Sequence, residues 1–270
     1  MTDLGTRNPP AIRCTGLRHS FGDKVAVDGI DLEVPTGQVF GLLGPNGAGK
    51  TTTLRMITTL LPVTHGSVEV FGLDAGRRMA VRRLIGYVPQ QLSADGTLTG
   101  RENVALFARL FDVPRRERKD RVAEALDAVG LTEDADRQAS GYSGGMIRRL
   151  ELAQALVSSP RLLILDEPTI GLDPVARSNV WARIEQIRAD TGMTVLVTTH
   201  YMDEAEQYCE RIALMHRGRI RALGTPAELE ANLGPESTLD DVFRAVTGDQ
   251  LDEGGIRDVR AARRTARRLG

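Results

Sequence analysis

The stretch GPNGAGKTT, from Gly44 to Thr52, sets glycine, lysine and threonine at the spacing G-x-x-x-x-G-K-[ST]. Gly44, Gly47 and Gly49, with Pro45, Asn46 and Ala48 between them, let the backbone turn its N–H groups inward around phosphate oxygens. Lys50 is placed to reach the β- and γ-phosphates of a nucleoside triphosphate. The Thr51 hydroxyl is a ligand for Mg2+, and Thr52 follows it. An apolar strand precedes the motif and a helix follows, so a positive helix N-terminus faces the phosphates. The motif by itself implies nucleoside triphosphate binding and nothing narrower.

A second centre is LLILDE, Leu162 to Glu167. Four apolar residues bury a strand and leave Asp166 at its C-terminal edge, where ligands of parallel sheets sit. In P-loop enzymes an aspartate there helps hold Mg2+. Glu167 is placed to orient or deprotonate an attacking water. VLVTTH ends another apolar strand in His200, and Gln90 follows the strand in GYVPQQ. Taken singly, these two are equally ordinary polar residues at strand ends. YSGGM, Tyr142 to Met146, puts Ser143, Gly144 and Gly145 at the start of an arginine-rich helical stretch. No base adjoins Ser143, so the group suits holding an anion more than nucleophilic attack.

These residues need a scaffold. Two strands are expected between Ala11 and Val34, joined at FGDK. GQVFGLLG, GSVEVFG, LIGYVPQ, RLLILD and TVLVTT read as further strands, and RIALMHRG with RIRALG as a closing hairpin. Helices are expected over Lys50–Leu61, Gly144–Val157 and Pro174–Arg188, and in DEAEQYC, with a mostly helical stretch over Gly100–Val129 interrupted at Pro114. Thr99 and Glu102 have capping-box spacing. After Gly224, TPAELEANLG and STLDDVFRAVTG read as short helices on their own. Strands alternating with helices imply a mainly parallel sheet, and the helical block at about 95–158 interrupts that rhythm like an inserted subdomain.

The chain has 270 residues with a formal net charge of −1, which gives no general reason to expect nucleic-acid binding. Cys14 and Cys209 match no metal or redox spacing and read as free thiols in a reducing compartment. MTDLGTRNPP carries no apolar signal region, and no run of roughly 18 apolar residues occurs, so a membrane role would come through a partner. His19, His65 and His216 read as polar loop residues. The segment from Ile256 has six arginines and one aspartate, and reads as a solvated end, with anionic lipid contact as the alternative.

Order is the stronger signal. P-loop, YVPQ, YSGGM, LLILDEP, GLD and TTH follow one another as in the ATPase subunits of ABC transporters, which the chain resembles over about residues 10–230. The resemblance implies an α/β P-loop fold. It has a mainly parallel core sheet, an N-terminal antiparallel β part, an inserted α-helical subdomain and a small C-terminal helical extension. It implies a flexible arm at 1–10, an ATPase domain at 11–230 and a C-terminal extension at 231–270. It implies ATP and Mg2+ as ligands, and a head-to-tail homodimer in which Ser143, Gly144, Gly145 and Asp173 serve the other subunit's nucleotide. Phe21 matches the position that stacks on adenine. Gln90 matches the glutamine that senses Mg2+ and the γ-phosphate, and His200 the histidine that contacts the γ-phosphate. The family works with a membrane permease, here a separate chain, which places the protein at the cytoplasmic face of the membrane. YSGGM, LTGRENVALFARL and LDDVFRAVTG are similar to the daunorubicin-resistance exporters of the family. Tyr142 and Met146 depart from the commoner LSGGQ. Importer ATPases and ABC ATPases acting on ribosomes or DNA are the rival readings.

Overall fold

The computed structural model describes residues 9–234 and 236–248. Most of the arm at 1–10 and the Arg-rich segment from Ile256 lie outside them. In chain order the first elements are β1 (Ile12–Phe21), β2 (Lys24–Val34), β3 (Val39–Leu43), α1 (Lys50–Ile57), β4 (His65–Val70), β5 (Leu73–Asp74), α2 (Arg78–Arg82) and β6 (Ile85–Val88). Then come α3 (Gly100–Leu110), α4 (Arg118–Ala128), α5 (Gly144–Leu156), β7 (Leu162–Asp166) and α6 (Pro174–Thr191). The last are β8 (Thr194–Thr199), α7 (Met202–Tyr208), β9 (Arg211–His216), β10 (Arg219–Gly224), α8 (Pro226–Leu233) and α9 (Leu239–Thr247).

A six-stranded sheet runs β10-β9-β3-β8-β7-β6, parallel except for the β9–β10 hairpin. A four-stranded antiparallel sheet runs β2-β1-β4-β5. The apolar runs in β3, β7 and β8 exist because both faces of the larger sheet are covered. Successive side chains point to opposite faces. Leu163 and Leu165 of β7 therefore enter the core shared with α3 to α6, while Leu162 and Ile164 enter the core shared with α1 and the smaller sheet. Register levels the strand ends: Asp166 pairs with Thr198, and Thr198 with Leu42. The P-loop, Asp166 and His200 thus emerge together at the C-terminal edge, where the chain direction of the crossovers reverses about β3.

Several boundaries differ from the sequence reading. The first helix stops at Ile57 instead of Leu61: the Thr58 hydroxyl donates back to the Leu54 carbonyl at 2.8 Å, and Thr59 turns left-handed at φ 61°. α6 runs past Arg188 to Thr191, where left-handed Gly192 (φ 66°) ends it. The Gly100–Val129 stretch parts at Asp112 (φ 56°), just before Pro114. His19, His65 and His216 lie on strands rather than in loops, held there by pairing with Val27, Arg18 and Arg219. β5 and α2 are too short to leave a periodic trace. α8 and α9 pack together, and α9 buries Leu239, Val242 and Phe243 in the helical-side core. Both cysteines are free and buried, and burial pushes each thiol up to about 12.

Trp181 on α6 is fully buried and stacks on Tyr208 at 4.3 Å. Trp181→Ala is expected to cost about 3–5 kcal/mol by urea denaturation. Its indole N–H has no partner among the described residues, so Trp181→Phe should cost much less.

Candidate functional site

The loop from Gly44 to Gly49 joins β3 to α1 and wraps the Lys50 side chain. Lys50 Nζ donates to the carbonyls of Gly44 at 2.7 Å and Pro45 at 3.3 Å. Gly47 and Gly49 have φ of 79° and 110°, a region that other residues enter only with strain. Space is a second constraint: a Cβ on Gly44 would meet the Met215 carbonyl, and one on Gly49 the Ala26 carbonyl. The loop is thus clasped between β2 and the β9–β10 turn. Thr51 and Thr52 follow in the first turn of α1. Phe21 stands at the end of β1, 50% exposed, edge-on to His19 at 4.7 Å.

Glu167 is where most of the remaining residues converge. Its backbone is left-handed (φ 50°), pinned by its N–H donating to the Thr198 carbonyl and to Thr198 Oγ1 at 3.0 Å. Its carboxylate is 6% exposed. Oε1 lies 3.3 Å from Lys50 Nζ, and Oε2 accepts from Gln90 Nε2 at 3.1 Å. His200 Nδ1 stands 3.5 Å from Oε2, at the outer limit of a hydrogen bond. The His200 ring, and after it the Lys50 ammonium, outweigh burial and hold the Glu167 carboxyl below the usual range. It is therefore ionised at neutral pH. Asp166, at the strand end, accepts from Thr198 Oγ1 at 2.6 Å through Oδ1. Its Oδ2 is buried with no hydrogen-bond partner among the described residues. An unsatisfied carboxylate oxygen beside a phosphate loop fits a divalent cation.

Ser143, Gly144, Gly145 and Asp173 form a second group. Ser143 caps α5, accepting from the Met146 N–H at 3.3 Å. Asp173 caps α6, accepting from Val175 and Ala176 at 3.0 and 2.9 Å. The two caps adjoin, since a Cβ on Gly145 would lie 3.2 Å from that of Ala176. The hydrogen bonds of both caps stay within their own helix starts, and none among the described residues reaches the phosphate loop. Tyr142 and Met146 have a structural account. The Tyr142 hydroxyl donates to the Asp134 carbonyl at 2.7 Å, tucked against Gly100, where a Cβ would collide with it. Arg137 lies over the Tyr142 ring and donates to Met146 Sδ.

Two groups escape sequence reasoning. Thr198 ties Asp166 to the Glu167 backbone, and a threonine ending an apolar strand gives little warning of that. Glu204 on α7 is buried and accepts from Thr169 at 2.6 Å and Thr199 at 3.2 Å, with Arg177 Nε 3.3 Å away. Burial outweighs these partners and raises its carboxyl.

The chain is similar to known proteins over most of its length. Residues 27–170 match the ABC transporter family. The chain is 46% identical to the daunorubicin/doxorubicin resistance ATP-binding protein DrrA of Streptomyces peucetius, over 86% of this chain and 70% of that one. It is 40% identical to the linearmycin resistance ATP-binding protein LnrL of Bacillus subtilis, over 84% of this chain and 73% of that one. Among solved structures it is similar to cbiO1 from Clostridium perfringens, part of the ABC transporter complex cbiONQ, with TM-score 0.76, 27% identity and coverage of 96% and 99%. It is also similar to the dimeric ATP-binding cassette MJ0796 in a post-hydrolysis state with ADP and Pi, with TM-score 0.70, 26% identity and coverage of 79% and 98%. The chain belongs to the ABC transporter family and is an ATP-binding, ATP-hydrolysing member of it.

Proposed function

We propose that this chain powers the export of a drug, an antibiotic or another amphipathic substrate through a separate membrane permease, working at the cytoplasmic face of the membrane. The observation that carries this reading is the 46% identity, over most of the chain, to an ATP-binding protein named for daunorubicin/doxorubicin resistance. Among the described residues no helix is long and apolar enough to cross a membrane, and we assign the passage to the permease. The cbiONQ membership of cbiO1 supports such a division of labour. The working unit in this reading is a head-to-tail homodimer around two ATP molecules, a reading supported by the MJ0796 dimer. The ATPase unit spans 11–230, with 95–158 as the subdomain that moves against the permease and 231–270 as an extension.

In the site, Phe21 stacks on the adenine. The amides of the Gly44–Gly49 loop, the start of α1 and Lys50 bind the β- and γ-phosphates. Thr51, Gln90 and Asp166 are the residues to hold Mg2+, which when bound neutralises phosphate charge. Glu167 takes a proton from water as its oxygen bonds to the γ-phosphorus. The bridging oxygen leaves with ADP, and phosphate is the second product. His200 orients Glu167 and contacts the γ-phosphate. Ser143, Gly144 and Gly145 close on the other subunit's γ-phosphate, and Asp173 joins the two sites.

The export reading is tested by pulling tagged Glu167→Gln protein from detergent-solubilised membranes with MgATP. A multi-helix membrane protein lacking its own ATPase unit is the expected companion. Recovery of ribosomes or DNA would overturn the transport assignment. The trans role of Ser143 has its own test. Ser143→Gly keeps a competent helix start, unlike Ser143→Ala. It is expected to lower turnover roughly 10- to 100-fold. ATP affinity of the monomer should stay unchanged; lost monomer binding would place the serine in its own chain's site instead.

A further inference from the structure

α5 carries an ion pair to which the ATP chemistry above assigns no task. Arg148 and Glu151 stand one turn apart, with Nη1 2.8 Å from Oε2. They are 3% and 2% exposed. Removing two charges from water costs more than their attraction returns unless further hydrogen bonds satisfy both ends. Here those bonds all go to one segment. Arg148 donates to the Pro89 carbonyl at 2.9 Å and to the Gln90 carbonyl at 2.6 Å. Glu151 accepts from the Ser93 N–H and from the Ser93 hydroxyl at 3.1 Å. One turn further along, Gln154 donates to Asn103 at 3.2 Å. Asn103 in turn exchanges two hydrogen bonds of 2.9 Å with the Asp95 backbone. α5 thus holds residues 89–93 directly at two points, and Asn103 of α3, bonded to Gln154, holds Asp95.

The two ends of this connection matter. At one end the Gln90 side chain reaches Glu167. At the other, α5 begins at its Ser143 cap. We propose that Arg148 and Glu151 are positioning residues that lock Gln90 to the helix carrying Ser143, so that the two ATP sites of a dimer sense one another through α5. This rests on the reading of Gln90 and Ser143 as ATP-site residues. Gln90 then serves the chain's own nucleotide, and Ser143 the other subunit's. A rigid, dry, charge-assisted link transmits a displacement of either end. Fixing the Gln90 carbonyl fixes the point from which its side chain departs.

A pair kept for packing would tolerate apolar replacement; a clamp would not. In Arg148→Met/Glu151→Met the charges go together, so the remaining cost is that of the Pro89, Gln90 and Ser93 groups left without partners, a fall of a few degrees in melting temperature. Turnover by phosphate release should fall roughly 10- to 100-fold, because Gln90 is no longer held in place. The Hill coefficient for ATP should fall towards unity, while equilibrium ATP binding to the monomer stays unchanged. In a Gln90→Ala background the same replacement should change turnover by less than about twofold, since it acts through Gln90. Should the double variant not fold, Arg148→Lys keeps the charge beside Glu151 but spans only one carbonyl, and turnover should still drop in a folded variant whose melting temperature falls by a few degrees.

Wild-type turnover in a folded double variant, or in Arg148→Lys, would overturn the proposal. So would an equal loss with and without Gln90, which would place the effect elsewhere. If Gln90→Ala itself kept full turnover, the reading of Gln90 in the ATP site would fall first and the clamp with it. Slow Gln90→Ala beside a fast double variant would remove the clamp alone.

Discussion

Glu167→Gln should bind MgATP, stay dimeric and hydrolyse roughly 100- to 10,000-fold more slowly than the native chain, the range a positioned general base supplies. The substitution is nearly isosteric. The amide oxygen still accepts from Gln90, and Lys50 keeps the Gly44 and Pro45 carbonyls. What is lost is a proton acceptor in a dry site. The native carboxyl is held below the usual range by His200 and Lys50, so it is charged and ready at neutral pH. Removing that charge next to the phosphates should also tighten ATP binding. A lowered carboxyl contributes stability above the ordinary glutamate range and loses it as pH falls through its own lower value. That acid-side loss should be smaller in Glu167→Gln. Single-turnover phosphate release and gel filtration with ATP read the outcome. Full turnover would mean another group accepts the proton.

Lys50→Ala should weaken ATP binding roughly 100- to 10,000-fold, taking two charge-assisted hydrogen bonds to phosphate oxygens at about 1.5–3 kcal/mol each. Lys50 is 4% exposed, with its ammonium held by two loop carbonyls. The chain has two other lysines, Lys24 on β2 and Lys119 on α4. The substitution also leaves Glu167 without its cation, so the carboxyl should rise and the loop lose order. Calorimetric titration with ATP measures the affinity. Retained micromolar binding would show that backbone amides and the helix start suffice. Lys50→Arg should fail as well, because a planar fork cannot take the place of a compact ammonium between two carbonyls.

Much of the site is legible in the chain because its parts are local. A P-loop needs glycines at fixed offsets. Close carbonyls of Met215 and Ala26 require Gly44 and Gly49, and at Gly49 a φ of 110° adds a second reason. Asp166 and His200 follow apolar runs whose ends the chain itself marks. Caps are local too, and Thr99 with Glu102 forms the box that its spacing implies. Short elements such as β5 and α2 leave no such mark. Helix ends shift by a few residues where a threonine hydroxyl or a left-handed residue intervenes, as at Thr58 and Thr59.

What the sequence by itself determined is the set of candidate site residues, their order and the parallel α/β frame that must carry them, since each follows from residue types within a few positions. The tertiary structure alone decided who meets whom. Lys50, Gln90, Glu167 and His200 are far apart along the chain, and only strand register brings them to one carboxylate. It also decided that Arg148 and Glu151 are buried. An arginine and a glutamate three apart on a helix read as a solvated pair, and the dry environment that gives them a role comes from Pro89, Gln90 and Ser93 folding over them. Burial and long-range hydrogen bonding depend on the packing of distant segments, which no local pattern encodes.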